Sequence, residues 1–154
     1  MNWLIDWFTN PYLMVPLISW ASAQIIKMII NFIMTRKWDF ERLFGDGGMP
    51  SGHSATVASL ATVCGLHFGT GSVQFAMACI LAVIVCHDAT GVRQEAGKHA
   101  MLLKEMLKSF DDIYREKIPE IKLKMFVGHT LLQVVAGIGI GVAVTLLLHL
   151  FVIC

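Results

Sequence analysis

The sequence predicts an all-α fold: a polytopic membrane helical bundle with about four transmembrane helices and an amphipathic cytoplasmic loop helix. Three observations predict it. Hydrophobic residues fill 56% of the 154 positions and charged residues only 15%, and the mean hydropathy is +0.66, too apolar for a soluble globule of this size. The apolar residues gather in four segments of spanning or near-spanning length. The twelve Lys and Arg residues avoid those segments apart from Lys27, and fall into two loops. A chain of this length is expected to form one domain, 1–154.

The first segment, about 11–34, opens on Pro11, which suits a first helical turn, with Trp3, Trp7 and Tyr12 as interfacial anchors. Met1 to Asp6 contain no basic run ahead of the apolar stretch, so no cleaved signal peptide is expected. The second segment, about 51–68, and the third, about 73–90, lie at the lower edge of spanning length. Gly69-Thr70-Gly71-Ser72 joins them as a tight turn, which makes them a helical hairpin. The fourth runs over about 128–152. Arg36, Lys37 and Arg42 lie between the first two segments, and eight basic residues from Arg93 to Lys124 lie between the last two. With four spans both loops fall on one side. The positive-inside rule makes that side cytoplasmic and both termini non-cytoplasmic.

The second basic loop, an insertion over about 94–125, carries its own pattern. Ala100, Leu103, Leu107, Phe110 and Tyr114 recur at spacings of three and four, while Lys98, Lys104, Glu105, Lys108, Asp111 and Asp112 take the other face. This amphipathic helix is expected on the inner membrane surface, or folded over the other helices as a lid. Asp111, Asp112 and Glu116 read as a solvated helix end and not as metal ligands. Cys64, Cys79, Cys86 and Cys154 lie in apolar stretches without metal-type spacing and read as membrane-buried thiols. Ala55 with Ser59, Ala58 with Thr62, and Gly137 with Gly141 place small residues four apart, which permits close helix approach in a membrane.

The chemistry is expected around Met49-Pro50-Ser51-Gly52-His53-Ser54, behind the glycine-rich Phe44-Gly45-Asp46-Gly47-Gly48. Ser51 is placed to cap a helix, Gly52 lets a ligand approach the backbone, and the first amide N–H groups point outward toward an anion. His53 adds a group that moves a proton near neutral pH. The same residues also make an ordinary capped helix entering a membrane. Four other polar positions stand out, each with a bland alternative. Lys27, with Asn31 one turn on, needs a partner or must snorkel. Asp88, after His87, belongs to a charge network with Arg93, which alone would be a headgroup anchor. His129, followed by Thr130 and Gln133, opens the fourth segment and alone would be merely interfacial. The topology brings Lys27, His53, Asp88, Arg93 and His129 to one membrane level. Two histidines, two cations and a helix N-terminus at that level suit phosphoryl transfer from a phosphate monoester, with no metal or other cofactor required.

Pro50-Ser51-Gly52-His53-Ser54 resembles the second signature of the type 2 phosphatidic acid phosphatase superfamily, which includes acid phosphatases and vanadium haloperoxidases. Gly47 to Ser54, Asp88-Ala89-Thr90-Gly91-Val92-Arg93 and Gly128-His129-Thr130 are together similar to its small, divergent membrane branch, over nearly the whole chain. The resemblance implies His129 as nucleophile and His53 as general acid, with phosphate held by Lys27, Ser51, Gly52 and Arg93. Three departures accompany it. The first-signature arginine should follow Lys27 by seven positions, where Met34 stands. Arg36 can replace it only if the helix has already ended, and a role for Arg42 is left open. The third signature is split, so that Arg93 supplies its arginine ahead of the inserted loop. Gln133 stands where a carboxylate should orient the nucleophile, and Asp88 is a through-space candidate for that task.

The function this implies is hydrolysis of a lipid phosphate monoester or diphosphate through a phosphohistidine. Lipid phosphate and membrane lipids are the expected partners and nucleic acid is not; the oligomeric state is left open. The alternatives are a catalytically weak relative that binds lipid phosphates or partner proteins and, further off, a vanadate-dependent haloperoxidase-like activity.

Overall fold

A computed structural model describes residues 3–36, 48–114 and 130–153. The described chain forms α1 (Trp3–Thr9), α2 (Pro11–Thr35), α3 (Gly52–Phe68), α4 (Val73–Thr90), α5 (Val92–Tyr114) and α6 (Leu131–Leu148), which runs on into a π-helical turn, His149–Ile153. Helices stand at all four places where the sequence puts apolar segments, and the described residues hold no strand. α2, α4 and Leu131–Phe151 are long and apolar enough to cross a membrane. α3, at 17 residues, is about 25 Å long, short of a typical hydrocarbon thickness.

α3 is the centre of the bundle and packs against α2, α4 and α6. What is buried there is small: Ser19, Ala23, Ala55, Ser59, Ala78 and Thr145. What is exposed is large and apolar, including Ile25, Ile29 and Ile33 on α2 and Met77, Ile80 and Ile84 on α4. A core of small residues beneath an apolar exterior is the arrangement a bilayer favours, because lipid solvates the large side chains and helices gain by close backbone approach.

The α3–α6 contact shows this directly. The two helices run parallel in a four-residue register: Gly137 meets Ser51, Gly141 meets Ala55, and Thr145 meets Ser59. A Cβ on Gly137 would strike the Ser51 carbonyl oxygen, and one on Gly141 that of Ala55. The Thr145 hydroxyl donates to the Gly141 carbonyl at 2.8 Å and lies 3.5 Å from that of Ser59. Of the small-residue pairs read from the sequence, Gly137 with Gly141 on α6 and Ala55 with Ser59 on α3 line this contact.

α2 begins at an Asn10 cap, whose side chain accepts from the Tyr12 N–H, with Pro11 in the first turn. Val15, Ser19, Ala23, Lys27 and Asn31, four residues apart, are all buried. α3 runs antiparallel along only part of this helix. Its last residue, Phe68, stacks on Tyr12 with ring centroids 5.1 Å apart, while its first, Gly52, lies against Trp20 and Gln24. α2 therefore continues well past the start of α3, by about 17 Å from Gln24 to Thr35. At the Tyr12 end, the Tyr12 hydroxyl and His67 Nδ1 are 2.8 Å apart, and the His67 and His149 rings lie at 5.8 Å.

Gly69 (φ 81°) and the Ser72 cap, which accepts from the Phe75 N–H at 3.2 Å, form the expected turn between α3 and α4. α4 buries Ala78 and Ala89 and otherwise presents a largely apolar outer face. The expected loop helix is α5, which begins two residues earlier than the insertion was placed and is described as far as Tyr114. It exposes Met101, Leu102, Leu103 and Met106. Lys98 lies 2.6 Å from Glu95 and holds that carboxyl below the usual range by hydrogen bonding and by charge. The rest of the insertion, with Glu116, lies outside the described residues, as do Arg42 and Cys154. Cys64, Cys79 and Cys86 are free thiols.

Candidate functional site

α3 and α6 begin at the same end of the bundle. Ser51 caps α3 from an extended backbone (φ −74°, ψ 117°), and its Oγ accepts from the Ser54 N–H at 3.4 Å and the Ser54 hydroxyl at 3.0 Å. Thr130 caps α6 in a reciprocal capping box. Its hydroxyl oxygen accepts from the Gln133 N–H at 3.4 Å, and the Gln133 side-chain oxygen accepts from the Thr130 N–H at 3.1 Å. The Ser51 N–H then donates to the Gln133 main-chain carbonyl at 3.0 Å, which locks the two starts together. The two parallel helix dipoles thus point their positive ends toward the same end of the bundle, with the α6 start about 10 Å ahead of the α3 start because Gly137 stands opposite Ser51, and both favour an anion in the space between.

The capping box gives Gln133 a structural task beside the orienting role expected of it, and Thr130-x-x-Gln133 is a legible capping signature. Thr130→Ala is expected to lower stability by about 1 kcal/mol, read as a lower thermal unfolding midpoint in detergent micelles. An unchanged midpoint would mean that the Ser51–Gln133 bond alone anchors α6.

The third wall is α2. Lys27 is 4% exposed and Asn31 9%, although both lie in an apolar helix. The Lys27 stem runs along Gly48: a Cβ there would lie 3.4 Å from Lys27 Cδ, an ordinary contact, and it is the backbone, with φ 100°, that calls for glycine. Gly48, three residues before the α3 cap, thus stands at the level of Lys27. Gly52 has a packing role beside the ligand approach expected of it. The Trp20 indole lies 3.1 Å, and the Gln24 amide carbon 3.8 Å, from where its Cβ would stand. His53 is half-buried in the first turn of α3. The α3–α4 hairpin carries Asp88 back to the same end, since His53 stands sixteen residues before Gly69 and Asp88 sixteen after Ser72. Lys27, His53, Asp88 and Gln133 are each engaged with a neighbouring group.

The structure therefore brings together Lys27, Ser51, Gly52, His53 and Gln133, with Asp88 at their level. Arg93 is the second residue of α5, and its side chain lies outside the described set, as does all of His129, immediately before the α6 cap. Arg36 meets the condition placed on it: α2 ends at Thr35, and Arg36 forms the C-cap in a left-handed conformation (φ 55°), its N–H bonded to the Phe32 carbonyl at 2.8 Å. Its side chain is exposed and stands about 13 Å along the axis from Lys27. Among the described residues no group of three His, Cys, Asp or Glu suits a metal. Trp20 and Gln24 are site neighbours that the sequence reading passed over. A mid-span glutamine three residues before a buried lysine was the available signal.

The family model described as the divergent PAP2 family matches residues 8–144, a stretch that contains every one of these positions. The chain belongs to the divergent PAP2 family. It is 37% identical over 156 residues to the uncharacterized membrane protein YuiD of Bacillus subtilis (strain 168), with 96% of this chain and 99% of that protein covered. No solved structure matches. A divergent PAP2 membrane protein with paired helix starts beside a buried lysine has a PAP2-related role at the membrane.

Proposed function

We propose that this divergent PAP2 protein hydrolyses a lipid phosphate, a monoester or diphosphate, at the joined starts of α3 and α6. The observation that carries the reading is the burial of Lys27 beside those two helix N-termini. A cation kept in an apolar bundle close to two helix N-termini is a side chain placed to meet a phosphate oxygen. In the reaction a His129 ring nitrogen attacks phosphorus and the bond to the lipid oxygen breaks. His53 gives its proton to that oxygen. Water then attacks the phosphohistidine, His53 takes the water's proton, and phosphate leaves. The first α3 amides, Lys27 and Arg93 stabilise the equatorial oxygens. By the positive-inside rule the site faces the cytoplasmic leaflet and both termini lie on the far side.

The test is phosphate release from a panel of lipid phosphates by the purified protein, with His53→Ala and His129→Ala beside it. Equal release by all three overturns the reading. Lys27→Met is expected to weaken competitive inhibition by inorganic phosphate by roughly ten- to hundredfold, the worth of one charge-assisted hydrogen bond. Unchanged inhibition would take Lys27 out of the site. One observation favours a second reading, lipid-phosphate binding without turnover: the amide at position 133 caps α6, and no carboxylate stands there to steady a histidine cation.

A further inference from the structure

α5 follows α4, a helix long and apolar enough to cross a membrane, with one residue, Gly91, between them. The Gly91 N–H donates to the His87 carbonyl at 2.8 Å, and the Gly91 carbonyl accepts from the Glu95 N–H at 3.1 Å. A junction this short leaves no slack, so α5 starts at the level where α4 leaves the bilayer. Along α5, His99, Leu102, Leu103 and Met106 are all exposed, at the three- and four-residue spacing that makes one stripe. Leu102, Leu103 and Met106 are 60%, 51% and 50% exposed. α4 is the described helix against which α5 packs. A helix in a protein draws most of its stability from packing of its apolar face. Here this part of that face lies open.

We propose that α5 is an in-plane anchor, whose stripe of Leu102, Leu103 and Met106 docks into the headgroup layer of the phospholipid bilayer that α4 has just left. Three observations name the bilayer as the occupant. The junction at Gly91 keeps the start of α5 at the membrane boundary. The stripe continues an apolar exterior already given to lipid, since Met77, Ile80 and Ile84 on α4 are exposed as well. Charge completes the pattern. Lys98 and Lys104 are exposed and flank the stripe on its two sides. Stems of that length lie along an apolar surface while their ammonium groups meet lipid phosphates. Glu95, at the edge of the stripe, is matched by Lys98 at 2.6 Å. A lid would bury these side chains on α2, α3 or α6, and they are open. Nothing in this docking depends on phosphate hydrolysis.

The experiment places the full-length protein in phospholipid nanodiscs that contain a phospholipid with a photoreactive diazirine at the top of its acyl chain. It reads hydrogen exchange of the α5 amides and the sites of lipid labelling. A helix left in water exchanges quickly, because its bonds open without disturbing a core. Wild-type amides from His99 to Leu107 are expected to exchange about tenfold or more slowly than those of the double variant Leu103→Gln, Met106→Gln, and the lipid should label the stripe. Glutamine matches leucine and methionine in helix propensity, so the difference reports lost apolar surface and not a weaker helix. Amides of α6 serve as the reference and should exchange alike in both proteins. Wild-type exchange as fast as in the double variant overturns the proposal. Protection without lipid labelling also overturns it, and gives the stripe to a lid contact or to a second copy of the chain. If the double variant does not fold, labelling of wild type decides alone: label at 102–106 sustains the anchor, and its absence there overturns it.

Discussion

Gly141→Val is expected to dismantle the bundle. The atom that a new Cβ would strike is the Ala55 carbonyl oxygen, with the Ala55 Cα and carbonyl carbon at 3.1 Å behind it. These are backbone atoms of a regular helix and cannot swing aside. α6 would have to lift off α3, and with it would go the Thr145 hydroxyl's approach to Ser59 and the Ser51–Gln133 bond. Overpacking among side chains that can adjust already costs about 1–3 kcal/mol. Against a rigid backbone the loss is expected at or above the top of that range, a large share of a typical stability of about 5–15 kcal/mol. Gly139→Ala, two residues away on the open face with nothing near its Cβ position, should be neutral or stabilise by up to about 1 kcal/mol. Thermal unfolding in micelles separates the two. Similar midpoints for Gly141→Val and Gly139→Ala would contradict the α3–α6 register.

His129→Ala and His53→Ala should both cripple phosphate release, but differently. Without the His129 nucleophile no covalent intermediate forms, and the loss should be independent of the leaving group. Without His53 the leaving oxygen departs unprotonated. General acid catalysis contributes about 10²- to 10⁴-fold, and it matters most when the departing alkoxide is strongly basic. The His53→Ala defect should therefore be large on an alkyl lipid phosphate and shrink on an aryl phosphate with an acidic phenol, whereas the His129→Ala defect stays the same on both. Matching defects on the two substrates would reverse or erase the assigned roles.

What was legible in the sequence was encoded locally. The apolar segments, the Ser51 cap, the Gly69–Ser72 turn and the period of α5 each depend on residues within a few positions of one another, and each is where the sequence puts it. Gly137 and Gly141 announced a close approach but not the partner, because Ser51 and Ala55 are some 86 residues away in the chain. The use of Gly52 was hidden for the same reason. Its missing side chain accommodates Trp20, a contact that exists only once α3 starts alongside the middle of α2. Gln24 looked like one more polar residue in a span, and its burial against the start of α3 appears only in the fold.

The walls of the site differ in their freedom to change. Along the α3–α6 seam backbone touches backbone, so there are almost no side chains to exchange without moving a helix. α2 faces the same space with an unbroken ladder of side chains, Ala23, Lys27 and Asn31, each replaceable on a helix that stays put. A scaffold of this kind keeps its anion seat constant while the neighbouring recognition is rewritten one rung at a time. Efforts to redirect the protein toward other ligands belong on α2.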